Sequence, residues 1–176
     1  MSVRTAVKRA EKLLSEYRVT APPIDVESIA EKLSIDIQYE PFDGQLSGVL
    51  IRDKDTDTYV IGVNKKHPEN RQRFTIAHEI GHFLLHEGHN THIDTAITVN
   101  FRNSQSSNGT RNEEIEANAF AATLLMPEEI LEEYIEENFD GFIDYNDDKQ
   151  VQTIAEDFGV STQALMIRLG KLNWFE

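Results

Sequence analysis

Two histidines stand four residues apart in FTIAHEIGHFLLH, residues 74–86, with a glutamate beside the first. His78, Glu79 and His82 make the pattern HExxH, set among Ala77, Ile80, Gly81, Phe83 and Leu84. On a helix, residues four apart lie one above the other on the same face. Small and apolar neighbours indicate a half-buried helix, and burying two imidazoles and a carboxylate is costly unless something compensates them. A fold that accepts this stretch must supply a partner, and a metal ion fits. Both imidazoles can reach one ion at about 2.0–2.1 Å, the usual Zn–N distance. Glu79 projects to one side, where it can hold a water and take its proton as that water attacks a carbonyl. By average composition such a pattern arises by chance in roughly one chain in two hundred of this length, so the metal reading outweighs two surface histidines.

The third ligand has two sources. The pattern HExxHxxGxxH fails here, because Leu85 stands at its glycine position and Gly88 at its last histidine. His89 is one residue off that register, and His86 reads as a helix-end residue or one that positions a ligand. A carboxylate from a later helix is the other source, and EEIEAN offers Glu113, Glu114 and Glu116. Glu114 is the choice, with Glu116 next, since Asn118 lies one turn beyond Glu114 on the same face. It can then orient a ligand histidine, a hydrogen bond that typically matters by about 10–100-fold. Against this, acids near a helix N-terminus are favoured simply as solvated charges.

The 176 residues suit one domain with a small appendage, and 39% hydrophobic and 27% charged residues are ordinary for a globular protein. The net charge of −14 is not ordinary. It argues against unaided binding to nucleic acid or anionic membrane and suits a basic protein partner. With no cysteine, disulfides, thiolate metal sites and cysteine nucleophiles are excluded. MSVRTAVKRAEKLL has no signal-peptide core, and the apolar run AFAATLLM (119–126) is too short to span a bilayer. A cytoplasmic location and no membrane partner are expected.

Helical spacing predicts a first helix over 3–17, and Asp25 caps a second through Leu33. Residues 35–39, 46–52 and 58–64 read as strands, the last two as a hairpin across DKDTD, with 46–52 either an edge open to an extended peptide or covered by the N-terminal helices. A helix begins at Pro68 and runs to about Glu87. Residues 88–112 read as one long loop, and helices follow over 113–126 and 127–139, the glutamates of the latter a solvated face. VQTIAEDFGVSTQALMIRLGKL (151–172) outlines a helix-turn-helix, with Gly159 at the turn and Ser161 as a cap. Only Arg168 and Lys171 on its second helix are basic, so packing or partner docking is expected there and direct DNA binding is not. Arg71 and Arg73 are expected to pair with acids, and Trp174 and Phe175 to form a terminal plug. Tyr134, His89 and His92 are candidate donors to a reacting oxyanion.

RQRFTIAHEIGHFLLH (71–86) followed by EIEANAFAATLLMP (114–127) resembles the ImmA/IrrE family of bacterial and phage metallopeptidases, over about residues 25–170. The resemblance implies an α+β, zincin-like metallopeptidase domain over 1–140, with a small mixed or antiparallel sheet and the HExxH helix. Residues 141–176 form a C-terminal helix-turn-helix-like segment packed on it. It implies a gluzincin-like zinc (Zn2+) site with His78, His82 and Glu114 as ligands and Glu79 as general base. It also implies a substrate: family members are often encoded beside helix-turn-helix (Xre-like) repressors, and several cleave or inactivate that partner to release a stress, mobile-element or defence operon. Asn118 departs from thermolysin-type gluzincins, which place an Asp there, and a neutral amide orients imidazole less strongly. Two other readings compete: a non-catalytic metal-containing module that binds a transcription factor, and a DNA-binding regulator.

Overall fold

Seven helices and four strands run through the described residues of the computed structural model, which are 2–43, 46–53, 58–86, 91–94 and 108–174. Helix α1 (Val3–Glu16) buries Ala6, Ala10, Leu13 and Leu14, a stripe at the three- and four-residue spacing that makes a helix amphipathic. Ser2 caps it and Asp25 caps α2 (Val26–Lys32), whose Ser28 N–H donates to the Asp25 carboxylate at 2.8 Å. Such a cap satisfies a backbone donor that the helix itself leaves over.

Strands β1 (Ile35–Glu40), β2 (Gly48–Asp53), β3 (Thr58–Asn64) and β4 (Thr91–Asp94) form one mixed sheet in the order β1-β3-β2-β4. β2 and β3 are the expected hairpin; β1 lies parallel to β3 and β4 antiparallel to β2. Ile37, Ile61 and Leu50 stand opposite one another across three strands, and so share a face. That face meets α3 (Glu69–Leu85), and the contact is close: a Cβ on Gly48 would overlap the Thr75 methyl and stand 3.5 Å from the Glu79 Oε1. Glycine in a strand here marks close backbone approach. The segment entering β2 is pinned by Asn64, which is buried and donates to the Leu46 carbonyl at 2.8 Å, and by Arg71, which donates to the buried Ser47 hydroxyl at 2.9 Å.

Two expectations fail in this region. The stretch 88–112 is not a single loop: it contains β4, and α4 (Asn108–Leu125) already begins at its end. The rest of that stretch lies outside the described residues. Nor is β2 an edge, because β4 takes the position beside it; among the described residues β1 and β4 are the outer strands. Thr91–Asp94, three polar residues and Ile93, pair because β2 offers a free row of backbone donors and acceptors, which residue type alone does not reveal.

α4 is the core helix. Ala117, Phe120, Ala121, Leu124 and Leu125 are fully buried, and it packs against both α1 and α3. Gly81 sits at the α3 crossing, where an added Cβ would be 3.1 Å from Phe120 and 3.3 Å from the Ala117 backbone. α5 (Glu128–Phe139) buries Ile130, Leu131 and Ile135 and exposes its glutamates, as its spacing predicts. α6 (Asp148–Phe158) ends at Gly159 in the left-handed region (φ +63°), and Ser161 caps α7 (Thr162–Lys171) by accepting from the Ala164 N–H. No described helix is long and apolar enough to cross a membrane.

The arginines do not pair with acids as expected. Arg73 donates to the carbonyls of Ile24 (2.6 Å) and Gly159 (3.3 Å), joining α3 to both ends of the chain, and Arg71 meets Ser47. Buried carbonyls without a backbone partner compete well for a guanidinium's several donors. Arg168 on α7 is likewise buried and donates to the Met126 carbonyl at 3.0 Å, closing the end of α4. Burial pulls its guanidinium below the ordinary value, against the opposing pull of Glu128 and Glu11. Trp174 packs against the core as the expected plug; Phe175 lies outside the described residues.

Phe158, Leu165 and Leu169 belong to the same buried cluster as Phe120 and Leu131. Phe158→Ala is therefore expected to cost about 3–5 kcal/mol in one cooperative urea transition. Two separate transitions, with only the weaker one shifted, would show that the C-terminal helices fold as an independent unit.

Candidate metal centre

Phe74, His78, His82 and His86 recur every four residues and form one column along α3. The rings follow one another at centroid distances of 6.4, 4.7 and 5.3 Å. His78, Glu79 and His82 are 1%, 0% and 3% exposed, so this helix carries three ionisable groups into the protein interior. The sheet closes one side of Glu79 at Gly48, which also lies against Thr75, one turn earlier on α3.

α4 closes the other side of the column. With no side chain on Gly81, Ala117 of α4 comes against α3, and Glu114 one turn earlier reaches both histidines. The His78 and His82 Nε2 atoms are 3.1 Å apart, and the two Glu114 oxygens stand 3.4 Å from His78 Nε2 and 3.3 Å from His82 Nε2. Three donors held at about 2.0–2.1 Å from one ion in tetrahedral geometry would be separated by about 3.3–3.4 Å. The separation of the two nitrogens, and that of each nitrogen from the Glu114 oxygen it faces, are close to that size, and two imidazoles with one carboxylate are a donor set that zinc accepts. Glu114 is partly exposed, so the triangle has an open side toward solvent.

The remaining sequence candidates fall at different distances from this triangle. Glu113 and Glu116 take no place in it. The Glu113 carbonyl lies 3.2 Å from His86 Nε2, and the buried Glu116 carboxylate lies 3.7 Å from the same nitrogen. His86 thus ties the end of α3 to α4 and holds the two helices in register beside the triangle. Asn118 is on the expected turn of α4, but its buried amide oxygen accepts no hydrogen bond from a histidine. A neutral amide attracts an imidazole N–H less strongly than a carboxylate would.

Tyr134 is not available as an oxyanion donor. Its hydroxyl donates to the Asp157 carboxylate and its ring packs edge-on against Phe158. Burial and that acidic partner push the phenol up to about 12. His92 falls in β4, opposite Leu50, and its side chain, like the whole of His89, lies outside the described residues. Gly81, Ala117, Gly48 and Thr75 are the residues that sequence reasoning missed. Gly81 inside a helix and Gly48 inside a strand were the available signals, since glycine is unfavourable in both unless something approaches closely.

Residues 30–170 match the peptidase M78 family, the IrrE N-terminal-like domain. Metallopeptidase ImmA of Bacillus subtilis (strain 168) is 48% identical over 48 residues, which is 27% of this chain and 27% of that protein. The similarity therefore spans about a quarter of that relative's length. The family match covers well over half of the chain and contains all three donors of the triangle together with Glu79. The chain belongs to the peptidase M78 family with an IrrE N-terminal-like domain.

Proposed function

We propose that this protein is a zinc-dependent endopeptidase that cleaves a helix-turn-helix, Xre-like repressor, and so derepresses a stress, mobile-element or defence operon. The observation that carries the reading is the triangle of His78, His82 and Glu114 beside a fully buried Glu79. When bound, zinc polarises a carbonyl oxygen and lowers the pKa of water to about 7.

The chain's own residues do the rest. His78, His82 and Glu114 are the proposed ligands, and the α3–α4 contact at Gly81 sets their spacing. Glu79 is the general base: its carboxylate takes a proton from the attacking water and passes it to the departing amine. Its burial keeps bulk water from competing for that proton. His86 is a positioning residue that holds α3 against α4. Asn118 is assigned no more than a weak orienting role, which suits slow turnover.

Several features support the partner. The net charge of −14 favours encounter with a basic protein, and DNA-binding regulators carry basic residues for their phosphate contacts. Arg168 is already engaged with the Met126 carbonyl, which supports packing rather than DNA contact for α7. Such a partner places the reaction in the cytoplasm.

Metal analysis by mass spectrometry on untagged protein is expected to find about one zinc per chain, lost or weakened in His78→Ala and in Glu114→Gln. Gly81→Val, which forces α4 away from α3, is expected to weaken zinc binding by about tenfold or more while touching no ligand. Glu79→Gln is expected to keep the metal and lose roughly 10²–10⁴-fold or more in the rate of partner cleavage. Cleavage at the wild-type rate in that variant would remove the assignment. Full complementation in cells by the same variant would point to a docking module instead. The partner should be the repressor encoded nearest this chain, because a peptidase with one target need not cut casein.

A further inference from the structure

The face of α5 that carries the glutamates does not end in open solvent. Together with the bend at 140–146 and the end of α7 it walls a groove of about 840 Å³. Glu132, Glu133, Glu136 and Asp144 line the groove, and among the described residues no lysine, arginine or histidine does. None of the four has an ion-pair partner among the described residues. Phe142, Tyr145 and Trp174 line the same groove. Phe142 is 69% exposed, held out by a turn in which Asp140 and Gly141 both have positive φ. Tyr145 donates its hydroxyl proton to the Trp174 carbonyl and so fixes the tryptophan in the wall.

We propose that this groove is an exosite that holds a basic, partly aliphatic segment of the protein substrate. The proposal deepens the endopeptidase reading and rests on it for what is held. The argument is charge and shape together. Acid rims and exposed rings suit lysine and arginine, whose cationic heads meet carboxylates while their alkyl stems cover aromatic faces. An anionic segment would be repelled by the four carboxylates, and a neutral one would offer them no opposite charge. A second copy of this chain would bring the same net charge of −14 against itself. Distinguishing one repressor from other proteins calls for contacts away from the scissile bond, because the bond itself is common to all of them.

Trp174 is the single tryptophan, so its emission reads the groove directly. The probe is a short synthetic Trp-free peptide alternating lysine and arginine with leucine, titrated into the full chain. A matched peptide with glutamate for every basic residue is the control. The expected result is a saturable change in emission for the basic peptide only, weakened by salt. Glu132→Gln/Glu133→Gln/Glu136→Gln is expected to weaken binding by about tenfold, and Phe142→Ser by several-fold. Glu27→Gln/Glu31→Gln, on an acidic patch beside β1, and Glu79→Gln should both leave it unchanged. The last variant separates this test from the catalytic reading, since peptide can bind where no cleavage occurs. No emission change, equal response to the acidic peptide, or equal weakening by the Glu27/Glu31 variant would each overturn the proposal. Light scattering that shows a dimer abolished by the groove variant would overturn it in favour of a second copy.

Discussion

The close contact of α3 with α4 at Gly81 is the constraint on which the rest of this protein depends. α3 carries two imidazoles and a carboxylate at near-zero exposure, a burden that an apolar surrounding would not tolerate. Relief comes across the crossing, where the missing Cβ of Gly81 admits the Ala117 backbone and brings Glu114 to both histidines. A glycine in a helix interior weakens the helix by about 1 kcal/mol relative to alanine. Here that local cost is offset by a geometry no larger residue would permit. The N-terminal helix matters for the same reason, because α1 also packs against α4 and helps to hold it in place.

Much of this architecture was legible in the residues because it is dictated locally. Asp25 and Ser161 accept from the third backbone N–H beyond them, and Gly159 takes the left-handed conformation its position requires. The spacing of His78, Glu79 and His82 fixes their common placement before any tertiary contact exists. Glu114 was legible for a different reason: it is the acid of EEIEAN one turn from Asn118, and α4 happens to present that turn to α3. The direction in which Arg71, Arg73 and Tyr134 would bond was not legible. Each is long and polar, and its partner was decided by which carbonyl, hydroxyl or carboxylate the packing left nearby. β4 was hidden likewise, since a short polar strand is defined by the open backbone of β2 and by little in its own side chains.

The C-terminal pair of helices shows how an outline can be right and its usual meaning wrong. α6, the turn and α7 have the helix-turn-helix form, yet the basic residue best placed on the second helix is spent on the end of α4. Arg73 from α3 reaches into the same turn, where a side chain on Gly159 would meet its guanidinium. The pair is thereby bonded to the helix that carries His78 and His82 as well as to the end of the one that carries Glu114. A two-helix motif used this way acts as a brace: its own stability contributes to holding α3 and α4 together.

On the proposed reading, chemistry and recognition fall to surfaces of opposite character. The site is compact, with two buried histidines, a buried Glu79 and an open side at Glu114, built from groups whose separation must hold to within a few tenths of an ångström. The outer face of α5 is wet and anionic, and nothing in it demands such precision. Peptide-bond hydrolysis is indifferent to which protein supplies the bond, so a buried triangle with a general base cannot by itself choose a substrate. The surface can, because long-range attraction raises the encounter rate with basic partners and repels acidic ones, most strongly at low ionic strength. On the proposed endopeptidase reading the carboxylates of α5 would select the partner, while α3 and α4 hold the reacting groups.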